Sequence, residues 1–244
     1  MDPTTPAEEW TDPLLLNALQ TGFSPTAVKV LLAYLLSLII AITLHEAAHA
    51  YTAHWCGDPT PKKQGRLSLN PLDHLDPMGS LFILLAGFGW GKAVVVNPYN
   101  FRDLRRDMML TSAAGPATNL MLAGIGVGSW HAARYALGVA PNVSPNFAFT
   151  LLLLIQVFVT LNLTLMLFNL LPIGPLDGVK VVQWFLPQRL AEEYYAFNAR
   201  YGGLLLIVLV MLMYSVPQVG QLLFWPIERI CDIALALAVP AGMW

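Results

Sequence analysis

The sequence predicts an all-α polytopic membrane protein, a helical bundle of about 4–6 membrane segments with one re-entrant segment and a short β element at the membrane edge. Composition is the first observation: 56% of the residues are hydrophobic and only 11% are charged, where a soluble domain carries about 25% charge. The second is a mean hydropathy of +0.58 over all 244 residues. The third is the recurrence of long apolar runs between short polar stretches, several near the roughly 20 residues that a helix needs to cross the hydrocarbon. The net charge of −2 and the lack of a basic tract give no support to a nucleic-acid partner. The two cysteines, Cys56 and Cys231, are distant and form no CxxC pair, so they read as ordinary thiols.

Met1 to Asp12 carries four acids and no Lys or Arg, unlike the basic start of a secretory signal. Leu14 to Phe23 is too short to span and suits the membrane surface. Val28 to Trp55 is the first span. Gly57 to Pro77 reads as a loop, containing Lys62, Lys63 and Arg66. Met78 to Trp90 is apolar but about 13 residues long, which fits a half-span or re-entrant segment. Gly87 to Pro98 combines glycines with Val94, Val95 and Val96, the composition of a bent or extended strand at the membrane edge.

Leu110 to Leu137 is the second full span, Gly138 to Asn146 a polar loop, and Phe147 to Leu171 a third span that breaks at Pro172 and Pro175. A short helix is expected from Gly178 to about Leu186, and a polar loop from Pro187 to Arg200. The apolar runs Gly202–Tyr214 and Gln221–Val239 are interrupted at Pro217 and read equally as two short elements or one kinked pair. The stretches Gly57–Pro77 and Lys92–Asp107 together hold seven Lys or Arg, whereas Gly138–Asn146 holds none. The positive-inside rule therefore puts the first two in the cytoplasm and the third outside, provided Met78–Trp90 dips in and returns.

Chemistry concentrates at the end of the first span, in Thr43-Leu44-His45-Glu46-Ala47-Ala48-His49-Ala50. Positions i and i+4 share a helix face, so His45 and His49 can address one metal ion, and Glu46 can reach a water held by it. This is the HExxH arrangement of zinc hydrolases. The pattern alone is weak, but its setting strengthens it. A charged side chain near the bilayer centre costs about 2.5–3.5 kcal/mol on insertion scales, and a metal supplies the compensation.

A catalytic zinc takes three protein ligands and keeps one position open. Asp177 is a candidate third ligand, because it follows a span broken by two prolines and a glycine, and such breaks are tolerated where backbone lines an enclosed cavity. The less favoured reading is an N-cap of the next helix.

Four ordered stretches then carry a family resemblance: His45-Glu46-Ala47-Ala48-His49-Ala50, Gly65–Leu72 with Asp76-Pro77, Ala114-Gly115-Pro116-Ala117-Thr118-Asn119, and Phe168-Asn169-Leu170-Leu171-Pro172-Ile173-Gly174-Pro175-Leu176-Asp177-Gly178. In this order they resemble the site-2 protease family, zinc metalloproteases that cut substrates within the membrane, in its compact form without PDZ or CBS domains. The resemblance covers roughly Ile42 to Leu186. It implies His45, His49 and Asp177 as Zn²⁺ ligands, Glu46 as the catalytic carboxylate, and Asn119 as a polar residue that binds substrate backbone or the developing oxyanion. It further implies Val94, Val95 and Val96, with Asn169, as substrate-binding. The expected partners are single-span membrane proteins and the lipid bilayer.

One departure from the family pattern stands out. Ala93 and Val95 occupy positions where the family usually has proline, which restores two backbone N–H donors. The chain thus divides into an N-terminal segment (1–26), a catalytic membrane core (27–186) and C-terminal membrane segments (187–244). The expected function is intramembrane peptide hydrolysis at a site towards the cytoplasm. The rival readings are a non-catalytic membrane adaptor and a metal transporter.

Overall fold

The computed structural model describes residues 24–86, 89–140 and 142–236. Helix α1 (Pro25–Trp55) starts at Ser24, whose hydroxyl accepts the Ala27 N–H, with a proline in the first turn where no donor is needed. It ends at Cys56, and Gly57 turns the chain with φ 112, a conformation that L side chains rarely adopt. Three short helices follow, α2 (Thr60–Lys63), α3 (Pro71–His74) and α4 (Pro77–Ala86), then a 3-10 turn at Pro98–Asn100. Helix α5 (Leu104–Val139) is capped by the Asp103 carboxylate on the Arg106 N–H, and α6 (Pro145–Asn169) by the Ser144 hydroxyl on the Phe147 N–H. The chain closes with α7 (Gly178–Phe185), α8 (Gln188–Ser215) and α9 (Pro217–Ala236).

Helices α1, α5 and α6 form the central bundle, each packed against the other two. Small residues let them approach. A Cβ on Gly126 of α5 would stand 2.6 Å from Val159 of α6, so only glycine permits this crossing. Leu38, Ala41 and Ile42 of α1 bury against Leu161 of α6, while Ala123, Val159 and Leu163 pack with Ile227 and Leu235 of α9.

Among the described residues, α1, α6 and the stretch Gln188–Met213 of α8 are long and apolar enough to cross a membrane, as a multi-pass chain requires. The expectation of a full second span meets a more polar element. Helix α5 has the length, at 36 residues, but Thr111, Ser112, Pro116, Thr118 and Asn119 lower its hydropathy, and several of these are buried between α1 and α6. Helix α9 carries Glu228, Arg229 and Asp232 and also falls short.

The ends of the Met78–Trp90 segment are tied together. The Lys92 N–H donates to the His74 carbonyl at 2.8 Å, Leu75 bridges Gly91, and the buried Arg66 guanidinium donates to the carbonyls of Asp73 and Lys92. The two flanks of the segment therefore meet at one place, with a helix of about 15 Å between.

Two expectations are corrected. No β-strand forms at Val94–Val96 among the described residues. The β-branched side chains leave the backbone outside any helix, but the neighbouring elements are helices and offer no second strand. The Pro187–Arg200 stretch is the first half of α8, not a loop. Its polar residues are good helix formers paired one turn apart, as in Arg189–Glu193 at 3.2 Å, so polarity there marks exposure rather than a break. The two C-terminal runs are separate helices, parted at Val216–Pro217. The Leu14–Phe23 segment and the far end of the Gln221–Val239 run lie outside the described residues.

Candidate metal centre

Three elements converge where α1 ends, α5 begins and α6 gives way to α7. His45 and His49 project from one face of α1. Asp177 stands at the N-cap position of α7, yet its side chain makes no capping bond. It turns instead towards the histidines, with Oδ2 at 3.4 Å from His45 Nε2 and 3.2 Å from His49 Nε2. The two Nε2 atoms are 3.0 Å apart. All three donor atoms lie within 4.8 Å of one another.

Hydrogen bonding to the far ring nitrogens decides what these donors can do. His49 Nδ1 lies 2.7 Å from the Thr111 carbonyl, which can only accept, so Nδ1 carries the proton. His45 Nδ1 lies 2.6 Å from Asn119 Oδ1, the corresponding arrangement. A neutral imidazole protonated at Nδ1 presents a lone pair at Nε2. Two such lone pairs and a carboxylate then face one point, an arrangement that repels itself unless a cation sits there.

The donor set fits zinc. A tetrahedral ion with ligands at 2.0–2.1 Å holds its donor atoms about 3.3 Å apart, and the separations here are 3.0, 3.2 and 3.4 Å. Mixed imidazole and carboxylate ligation favours a transition metal over calcium or magnesium.

Gly115 of α5 makes room for this. A Cβ there would come within 2.5 Å of His49 Nε2 and 2.6 Å of His45 Nε2. The Asp177-Gly178 pair has a similar cause, since a Cβ on Gly178 would strike the Leu170 carbonyl at 2.2 Å and push α7 away from the end of α6.

Glu46 is not one of the three donors. Its Oε2 accepts the Val94 N–H at 3.2 Å, and its Oε1 lies against Gly91, where a Cβ would approach to 3.1 Å. Val94, Val95 and Val96 thus run beside the carboxylate, with Val95 exposed and Val94 and Val96 half-buried. Asn119 is fully buried with both ends of its amide engaged, Oδ1 with His45 and Nδ2 with Asn162 Oδ1 at 2.9 Å. The amide nitrogen carries a second N–H, and any oxyanion role would fall to that donor. Asn169 spends its amide nitrogen on the Leu165 carbonyl of its own helix, at 2.9 Å.

Several supporting residues escaped the sequence reading. Asn198 of α8 accepts the Gly174 N–H at 2.8 Å, Tyr194 donates to the Pro172 carbonyl at 2.9 Å, and Gly202 lies directly against Gly174. Together they buttress the break that aims Asp177. Arg105 of α5 donates to the carbonyls of Trp184 and Leu186 at the C-terminal end of α7, fixing that helix from its other end. The signal for these was the proline-rich break itself, whose free backbone groups need partners at membrane depth.

Comparison with known proteins agrees with this geometry. The chain is 40% identical over 191 residues to "Putative zinc metalloprotease YwhC" of Bacillus subtilis, covering 78% of this chain and 83% of that protein. It is 30% identical over 207 residues to "Putative zinc metalloprotease Rip2" of Mycolicibacterium smegmatis, covering 81% and 74%. Against the Rip2 protein of Mycobacterium tuberculosis it is 35% identical over 158 residues, 59% of this chain. No family model matches the chain. No solved structure matches it either. An extended match of this identity, with a two-histidine, one-aspartate cluster in a bundle of membrane-length helices, places the chain in the site-2 protease family of zinc metalloproteases.

Proposed function

We propose that the protein hydrolyses peptide bonds of membrane-spanning substrates at the His45–His49–Asp177 centre, within the bilayer and towards its cytoplasmic side. The observation that carries this reading is the convergence of three metal donors from α1 and the α6–α7 break, with a glutamate beside them. A zinc ion held there supplies Lewis-acid chemistry, acidifying water and polarising a carbonyl.

The chain's own residues do the rest. Glu46 takes the proton from the attacking water and returns it to the leaving amine. The Val94 N–H orients the carboxylate that does so. His45 and His49 keep their Nε2 lone pairs available, because Asn119 and the Thr111 carbonyl hold the Nδ1 protons.

The Lys92–Val96 segment supports substrate docking. Two of its donors are used inward, Lys92 on the His74 carbonyl and Val94 on Glu46. Alternation along an extended backbone turns Ala93 and Val95 the other way. Both are exposed, and neither N–H has a partner among the described residues. A peptide drawn out of its helix presents groups that match such an edge.

The cytoplasmic placement rests on charge: Lys62, Lys63, Arg66, Lys92, Arg102, Arg105 and Arg106 cluster in the stretches at the metal-centre end of the bundle. The test is purified protein in detergent against a panel of single-span substrates, beside Glu46→Gln. The wild type is expected to cleave, and the variant to lose at least about 100-fold in rate while retaining zinc. Equal rates in the two would remove Glu46 from the chemistry.

A further inference from the structure

Two asparagines on neighbouring helices, Asn119 of α5 and Asn162 of α6, are each fully buried in the bundle. An amide at such depth costs several kcal/mol unless its hydrogen bonds are made. Here they are made in sequence. Asn162 Nδ2 meets the Phe158 carbonyl at 2.9 Å, Asn119 Nδ2 meets Asn162 Oδ1 at 2.9 Å, and Asn119 Oδ1 meets His45 Nδ1 at 2.6 Å.

The polarity of this row is decided at its far end. The Phe158 carbonyl has no proton to give, so Asn162 must face it with NH₂ and turn its oxygen to Asn119. Asn119 must answer with its own NH₂, which leaves its oxygen for His45. The His45 proton is thereby fixed on Nδ1 and its lone pair on Nε2. Flipping either amide would set two donors or two acceptors against each other.

His49 needs no such arrangement, because the carbonyl that holds it belongs to the Thr111 backbone and cannot flip. His45 depends on a side-chain amide that can. We propose that Asn162 is a positioning residue: acting through Asn119, it holds His45 in the tautomer and orientation that bind metal. This rests on His45 being a metal ligand.

The test uses the full chain in detergent, with zinc affinity measured by chelator competition and the visible absorption of the Co²⁺-substituted protein recorded. Asn162→Leu keeps the number and branching of the side-chain heavy atoms, at a larger volume, and removes both polar atoms. It is expected to weaken zinc binding about tenfold and to shift the Co²⁺ bands. Asn162→Asp, whose buried carboxylic acid offers the same donor and acceptor, is expected to stay close to wild type. In an Asn119→Ala background, Asn162→Leu is expected to cause no further loss, since the row is already cut.

Unchanged zinc affinity in Asn162→Leu would overturn the proposal. So would a full tenfold loss repeated in the Asn119→Ala background, which would mark a packing effect. If Asn162→Leu does not fold, Asn162→Ala enters the same cycle and is judged by the same outcomes. His45→Ala separates the two levels. Should it bind zinc as tightly as wild type, the metal-site reading itself fails. Should it lose zinc while Asn162→Leu does not, only the row is refuted.

Discussion

At Gly115 the site has no space for even a methyl group, because a Cβ would come within 2.6 Å of Nε2 of both His45 and His49. Gly115→Ala is therefore expected to lower zinc affinity and cleavage at least about tenfold while leaving helical circular dichroism unchanged. Zinc analysis beside a spectrum checks both. At this scale the sequence was informative where the chemistry is local. His45, Glu46 and His49 lie within one helical turn, and the 3.6-residue repeat alone puts both histidines on one face. Asp177 was legible as a candidate third ligand because it is an acid behind a proline break, and the motif order supported it, although the same position also suits an N-cap. Thr111 and Asn162 were not legible. Their roles depend on how α5 and α6 are rotated about their axes, and nearly uniform apolar helices encode that rotation weakly.

At the scale of elements, the polar half of α8 matters most. It looks like a loop by composition, yet it braces the α6–α7 break through Asn198, Tyr194 and Gly202. Gly202→Leu is expected to push Gly174 aside, misplace Asp177 and weaken zinc binding, even though position 202 contributes no ligand. Zinc competition on the purified variant checks this.

A second brace lies at the end of α1. Asp58 accepts the Thr60 N–H at 3.0 Å, the Thr60 hydroxyl at 2.6 Å, and the Asn97 N–H and Asn100 amide, both at 2.7 Å. Burial alone would raise its pKa, but these bonds outweigh it and hold the carboxyl below its ordinary 3.8. A depressed folded pKa contributes stability above the unfolded value and loses it as pH falls through the folded one. Asp58→Asn is thus expected to melt several degrees lower at pH 7 and to show a shallower loss of melting temperature below about pH 4. Thermal scans across pH measure it. The edge segment supplies a third prediction. Ala93→Pro with Val95→Pro removes two outward donors, so zinc content should hold while KM for substrate rises several-fold.

At the scale of the molecule, the sequence announced a helical membrane protein through hydropathy and placed its chemistry through four ordered motifs. It overstated the apolarity expected of the second span, because a helix enclosed by two neighbours need not be apolar on every face. The charge asymmetry makes a further prediction. A cysteine introduced at Asn142 should react with an impermeant thiol reagent from outside the cell, and one at Lys63 only after the membrane is opened. The background for this lacks Cys56 and Cys231. Intramembrane cleavage is tested by reconstituting the protein in liposomes with a single-span substrate and mapping the cut by mass spectrometry. A cut inside the substrate's hydrophobic span, absent with Glu46→Gln, is the predicted result. Cleavage confined to the soluble flanks, or unchanged by that substitution, would rule out intramembrane hydrolysis at this centre.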